Sequence, residues 1–372
     1  MKKFIFLLFF IFLQKTPVHA IETSAESACL IIAETNEIIY EKNAYEEMPM
    51  ASTTKIMTAI LALETGNPDD IVTVSSNAAS QEGSSIYLAQ GDKIRLKDLL
   101  YGLMLNSGND AAVAIAEHIS GDTKAFAEKM TALAHKIGAN NTFFKNPNGL
   151  DETGHYTTAR DLALITSYAM KNPNFREIVS TREKNITLEN GNILYFSNHN
   201  KLLKMYEGTT GVKTGYTKKC GRCLVSSAQK NGVEFIAVTL NAPDDWNDHT
   251  AMLDYGFSSA KLMTVASPEE IIKTVYTSDN QEIGCVLKDN ISIPVFNNKL
   301  PDNVLITHLP KTLSAPIKKG EKIGEAELIV NNKVYKTTDI LSDRNVQKRP
   351  ENKNFKTTFF RVIKRIKKLY LQ

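Results

Sequence analysis

Residues 96–119 read LKDLLYGLMLNSGNDAAVAIAEHI. Apolar residues keep helical spacing on both sides, yet the run is interrupted at Asn106-Ser107-Gly108-Asn109. A break inside an apolar helical region strands backbone N–H and C=O groups, so it marks a tight corner or a site. Two helices meeting at that corner are therefore expected, with more helix at 122–137 and 158–171. Ahead of them, ACLIIAETNEIIYEKNA reads as two short strands around the turn Glu34–Glu37. A helix from Ser52 to about Thr65 follows, closed by Gly66-Asn67-Pro68 and apolar on most sides.

The texture changes after about residue 184. NGNILYFSN, TTGVKTGYT, CLVSSAQK and EFIAVTLNA are strand-like, and Lys230-Asn231-Gly232 makes a hairpin turn between the last two. A helix is expected at about 246–262. From 263 to 345, β-branched segments and frequent turns predict a small all-β domain. A polar linker, 346–354, leads to the tail. The 372 residues suit two domains, and 42% hydrophobic with 23% charged residues is a globular composition.

Both ends carry information about location. MKKFIFLLFFIFLQKTPVHA has two lysines, an apolar run too short to span a bilayer, and small residues at Val18 and Ala20. Residues 1–20 are thus expected to be a signal peptide, and the protein to be exported. Without Lys2, Lys3 and Lys15, the 44 basic residues become 41, against 41 acidic. Residues 351–372 hold seven of the basic and one of the acidic, so the tail carries +6 and residues 21–350 carry −6. An acidic body excludes the basic surface of a nucleic-acid binder. In the tail, Phe355, Phe359, Val362, Ile363, Ile366, Leu369 and Tyr370 recur at helical spacing between cations. Residues 355–372 are expected to form an amphipathic helix lying on a membrane surface, where each cation adds about 1 kcal/mol.

Three short motifs bear on chemistry. In Ser52-Thr53-Thr54-Lys55 the first and last residues share a helix face, so Lys55 can reach the serine hydroxyl. A serine becomes nucleophilic when a base takes its proton, and a lysine is such a base only when burial or a nearby cation keeps it neutral. Taken alone, the pattern is common by chance, and a capping serine with a solvated lysine is the better explanation of it. Ser107-Gly108-Asn109 puts a hydroxyl and a carboxamide at the helix break. Lys213-Thr214-Gly215 puts a cation, a hydroxyl and an open backbone on a strand, where a substrate can lie alongside. Lys213 close to Lys55 would also depress its pKa.

Together, in this order, these are the S-x-x-K, S-x-N and K-T-G set of penicillin-interacting serine enzymes. With EGSSIYLAQG, NSGNDAAVAIAE, FKNPNGLDETGHYTTARDLA, GVKTGYTKKCGRCLVSSA and NAPDDWNDHTAMLDYGF, the chain resembles the serine-type D-alanyl-D-alanine carboxypeptidases, the low-molecular-mass penicillin-binding proteins. The resemblance covers the mature chain, LSAPIKKGEKIGEAELIVNNKVY and the tail included.

It implies an α+β penicillin-binding, β-lactamase-like transpeptidase fold, with a helical subdomain on an antiparallel sheet across 21–262 and an accessory β domain. Ser52 would attack the bond between the terminal D-alanines of peptidoglycan stem peptides, with Lys55 as base. Ser52 and Tyr216 N–H groups would stabilise the oxyanion. Ser107 would pass a proton to the leaving group, Asn109 would hold the peptide, and Lys213 and Thr214, beside Gly215, would bind the terminal carboxylate. β-Lactam antibiotics would acylate the same serine. No metal or organic cofactor is implied, and the site would face outward from the bacterial cytoplasmic membrane.

The chain departs from the pattern at His199, where some members carry arginine, and at Cys220, where a small residue is frequent. The E-x-x-L-N loop of class A β-lactamases is missing, since Glu177 is followed by IVSTR. The histidines show no metal-ligand spacing. Cys220 and Cys223 are open to a disulfide or to two buried thiols.

Overall fold

The computed structural model describes residues 21–188 and 191–349, with Arg361, Ile363 and Arg365. The expected signal peptide and nearly all of the expected 355–372 helix lie outside the described residues.

The chain divides into two compact units. The first runs to Ile31 and includes Ile38–Ala228 and Phe235–Ser258, and the second holds Ile32–Glu37, Gln229–Glu234 and the residues from Ser259 on. In the first unit a five-stranded sheet is built from β1 (Ser27–Ile32), β2 (Ile38–Lys42), β3 (Thr209–Thr217), β4 (Gly221–Lys230) and β5 (Val233–Leu240), in the order β2-β1-β5-β4-β3. β1 and β2 pair antiparallel, as do β3 and β4. β5 is buried at all eight positions, so both faces of the sheet are covered. β3 is an edge strand, and its outer side borders the site.

The helices are α1 (Lys55–Thr65), α2 (Leu96–Leu105), α3 (Asn109–Ser120), α4 (Thr123–Ile137), α5 (Ala159–Met170), α6 (Pro173–Ser180) and α7 (Asp245–Ser259). α1 is central: residues 55–62 are all buried, and the helix touches α2 through α6 and β3. Its apolar circumference is thus explained by neighbours on every side. α6 was not anticipated from the sequence; Asn172 caps it and Pro173 sits at its first turn.

Ser52 does not start the α-helix. Ala51–Thr54 form a separate 3-10 turn with no side-chain cap, and Lys55 opens α1. The capping reading of Ser52 is therefore excluded. At its other end the expected 246–262 helix stops at Ser259. Ala260–Ala266 is instead a strand, because AKLMTVA pairs with Ile291–Phe296 and gains a sheet partner there.

The break between α2 and α3 is a satisfied corner. The Gly102 carbonyl accepts from both Asn106 and Gly108, and the Leu105 carbonyl accepts from His199 N. Asn106 Oδ1 accepts from Ser197 N at 3.0 Å. The strand-like segment after residue 193 thus takes up groups that the broken helix leaves open.

From 260 to 349 the second unit is all-β. A five-stranded sheet orders Lys273–Tyr276, Glu282–Leu287, Lys333–Ser342, Lys322–Val330 and Asn303–His308 side by side. Its core holds Ile283, Cys285, Leu287, Ile293, Leu328 and Ile340. All four cysteines of the chain are free and buried, which selects the thiol alternative for Cys220 and Cys223.

Phe126 on α4 is fully buried among these helices. Phe126→Ala should lower stability by about 3–5 kcal/mol, read as a shifted denaturant midpoint with unchanged slope.

Candidate active site

The buried amine of Lys55 organises the site. Its residue is 0% exposed, although a lysine is ordinarily at the surface. Nζ lies 2.7 Å from Asn109 Oδ1, 2.6 Å from the Asn148 carbonyl and 2.9 Å from Ser52 Oγ. Two of these partners are carbonyl oxygens, which only accept. The third partner, Ser52 Oγ, can accept from a charged amine or, once the amine is neutral, give its proton to the lone pair left over from the two carbonyl contacts. Burial, and then the nearby Lys213 cation, hold the Lys55 pKa well below its ordinary 10.5, against a smaller opposing pull from Asp110. Electrostatics thus favours the neutral amine, and the geometry sets that amine 2.9 Å from the serine hydroxyl.

Each partner is placed by a different part of the chain. α1 is bolted to the 146–155 loop: Thr58 Oγ1 donates to the Pro147 carbonyl at 2.6 Å, and Thr54 Oγ1 lies 2.8 Å from His155 Nε2. His155 Nδ1 accepts from Lys145 N at 3.0 Å, so Nε2 carries the proton and donates to Thr54. Burial pushes the His155 pKa down to about 4, which keeps the ring neutral and structural. Gly149 in this loop has φ +86° and lies against Ala51; a Cβ there would collide with the Ala51 carbonyl oxygen. Ala51 itself holds φ +46°, immediately before Ser52.

Asn109, the first residue of α3, is engaged at both ends of its amide. Besides accepting from Lys55, it donates to the Glu82 carbonyl. Its role in fixing Lys55 was not implied by the resemblance. The next residue, Asp110, accepts from the Ile86 and Leu88 amides and from Ser85 Oγ, which ties the 82–88 loop to the helix break. Ser107 has φ +63° and is 4% exposed.

A cleft of about 290 Å³ opens on these groups. Ser52, Ser84, Ser107, His199, Thr214, Gly215 and Tyr216 line it, joined by Arg222, Asp245 and Trp246. Gly215 brings β3 against the nucleophile turn: a Cβ there would stand 3.1 Å from both Ser52 N and Thr53 N. Lys213 points beneath the strand, 1% exposed, with Nζ donating to the Thr214 carbonyl at 2.8 Å. Burial draws its pKa down to about 7. Burial, and then Lys213, also lower that of His199. Cys220 lies off the cleft, with Sγ 2.8 Å from Thr217 Oγ1.

All three sequence motifs therefore meet at one place. Ser52, Lys55 and Asn109 are in direct contact, and Ser107, Thr214, Gly215 and Tyr216 share the cleft with Ser52. Sequence reading did not reach Asn148, Gly149, Asp110 or Arg222. PNGL and SGND carry the first three, but nothing local tells that a backbone carbonyl at 148 will face Lys55. Among the described residues no group of three or more His, Cys, Asp or Glu side chains is arranged to hold a metal.

A serine paired with a buried neutral lysine, on a helical cluster beside an edge strand, defines a serine acyl-transfer enzyme. Comparison with known proteins narrows this class. Residues 14–244 match the D-alanyl-D-alanine carboxypeptidase family, and residues 261–348 match the C-terminal domain of penicillin-binding protein 5. D-alanyl-D-alanine carboxypeptidase DacF of Bacillus subtilis is 34% identical over 335 residues, spanning 87% of this chain and 86% of the relative. Penicillin-binding protein 5 of Haemophilus influenzae superposes with a TM-score of 0.65 at 26% identity, over 89% of this chain and 100% of that one. A variant of the Streptomyces K15 DD-transpeptidase gives 0.62 at 34% identity, over 64% and 100%. The chain belongs to the D-alanyl-D-alanine carboxypeptidase family, and has its penicillin-binding protein fold with the C-terminal all-β domain.

Gly149→Ala should displace the Ala51–Ser52 turn, since a left-handed φ and a backbone clash coincide there. Penicillin acylation should slow on the order of 100-fold, as for an ångström-scale misplacement, measured by the rate of covalent labelling.

Proposed function

We propose that Ser52 is the nucleophile and Lys55 the general base of a D-alanyl-D-alanine carboxypeptidase acting on peptidoglycan stem peptides. The observation that carries this is the fully buried Lys55 amine, held 2.9 Å from Ser52 Oγ by the Asn109 and Asn148 carbonyl oxygens, with its pKa drawn well down by burial. Family membership supplies the reaction, a serine hydrolase removing a terminal D-alanine.

The stem peptide lies along the open edge of β3 as an added strand. Lys55 takes the Ser52 proton while Oγ attacks the carbonyl carbon between the two D-alanines. The Ser52 and Tyr216 N–H groups receive the oxyanion, and Gly215 allows the close approach of strand and turn that puts them together. As the C–N bond breaks, the proton passes through Ser107 to the leaving nitrogen, and D-alanine departs. Water then cleaves the acyl-enzyme, releasing the shortened stem and restoring the serine hydroxyl. A β-lactam meets the same serine but leaves a ring-opened acyl group, and the chain has no E-x-x-L-N glutamate to hasten its loss.

Thr214 lies on the cleft wall where it can donate to the substrate, while buried Lys213 keeps Lys55 neutral by like-charge repulsion. Asn109 holds Lys55 as well as bordering the peptide. The exported, peripheral placement rests on the 1–20 and 355–372 sequences; among the described residues no helix is long and apolar enough to cross a membrane.

Intact-mass measurement after brief exposure to penicillin should show one long-lived adduct on Ser52, absent from Ser52→Ala together with peptide cleavage. A fully active Ser52→Ala protein would refute the assignment. Because only the neutral amine is a base, the acylation rate should fall with decreasing pH through the lowered Lys55 pKa, and rise again as pH is restored. Removing 352–372 should free the protein from membrane fractions while sparing hydrolysis of a soluble peptide; retention on membranes would contradict the anchor.

A further inference from the structure

A substrate that ends in a carboxylate must bring a negative charge into the cleft, and a charge leaving water needs a partner. Lys213 and His199 are poor partners for it. Lys213 is 1% exposed, and its Nζ is turned to the Thr214 carbonyl. His199 is held toward its neutral form by burial and by Lys213. Of the residues that line the cleft, Arg222 is the one with a permanent positive charge.

Its position is built rather than incidental. Arg222 on β4 pairs across the ladder with Tyr216 on β3. It therefore shares a sheet face with Tyr216 and with Thr214, two residues back along β3. The guanidinium is fixed from behind by Asp245, at 2.8 Å and only 4% exposed, and it lies 5.9 Å from the Trp246 ring. Asp245 and Trp246 open α7, so a helix start sets the arginine's direction. The Asp245 bond engages one of five guanidinium N–H groups, and the side chain is 43% exposed beside the cleft.

We propose that Arg222 is the residue that reads the terminal carboxylate of the stem peptide, with Asp245 and Trp246 as its positioning residues and Thr214 adding a hydroxyl. The assignment deepens the carboxypeptidase reading of the same cleft and rests on it. A forked guanidinium can hold both carboxylate oxygens, which makes the cleft selective for peptides with a free C-terminus.

The test compares two stem-peptide analogues, one ending in D-Ala-D-Ala with a free carboxylate and the other with the terminal carboxylate converted to a primary amide. Values of kcat and KM are measured on the mature protein, with active sites counted by penicillin titration so that misfolded molecules drop out. In Arg222→Gln the acid-to-amide ratio of kcat/KM should fall about 10–100-fold from the wild-type ratio, the loss expected for a charged hydrogen bond. Arg222→Lys should fall by less, because the charge stays while the fork is lost.

A wild-type ratio in a titratable Arg222→Gln protein overturns the proposal. So does a loss confined to His199→Ala, or one that follows a side-chain carboxylate of the peptide instead of its terminus. Should Arg222→Gln fail to fold, the Arg222→Lys ratio decides in the same way. Wild-type protein that neither forms a Ser52 adduct nor cleaves the acid peptide would remove the underlying carboxypeptidase reading, a separate outcome.

Discussion

Everything at this site depends on keeping one amine dry. A charged lysine is costly at full burial, so the Lys55 pKa is drawn well below its ordinary value. The fold then spends two carbonyl groups, from Asn109 and Asn148, to occupy both N–H groups. In the proposed mechanism the remaining lone pair takes the Ser52 proton, so the burial that would otherwise be a liability is what makes the amine a base.

That burial explains the architecture around it. α1 sits at the centre of the helical cluster, where every side is covered, and its first residue is Lys55. The loop at 146–155 closes one end through Thr54, Thr58 and Gly149, while the helix break at 106–109 closes another through Asn109 and Asp110. β3 completes the enclosure from the sheet side and leaves its outer edge free. Positive φ values at Ala51 and Ser107 fall beside the reacting groups, where a fold holds unfavourable backbone in exchange for position. The cleft wall is divided by charge state: Lys213 serves the base from beneath the strand, and Arg222 stands at the surface as the durable cation.

Much of this was legible in the chain. Ser52, Lys55, Ser107, Asn109, Lys213 and Thr214 stand in short motifs whose residue types are chemically informative, and the helix break announced a corner before any coordinates. The α1 stripe was legible because apolar residues on most of its circumference leave few alternatives to central burial. Less was legible where partners come from far away in sequence. The start of α1 was misplaced because a 3-10 turn and an α turn share the same spacing of Ser52 and Lys55 over one step. The end of α7 was misplaced because AKLMTVA takes strand form from its pairing with Ile291–Phe296, a partner thirty residues on.

By itself the sequence determined the chemistry on offer: a hydroxyl and an amine one turn apart, a hydroxyl and carboxamide at a broken helix, and a glycine on a strand. It also determined most of the longer helices and strands, because apolar periodicity is local, though it did not reveal α6. Only the tertiary structure decided that the Lys55 pKa is lowered, since the shift depends on solvent exclusion and on Lys213, 158 positions away. Only the tertiary structure placed the Asn148 carbonyl on the amine and Arg222 on the cleft wall. A backbone oxygen has no signature in a sequence, and an arginine acquires its direction only when a helix start brings Asp245 and Trp246 against it.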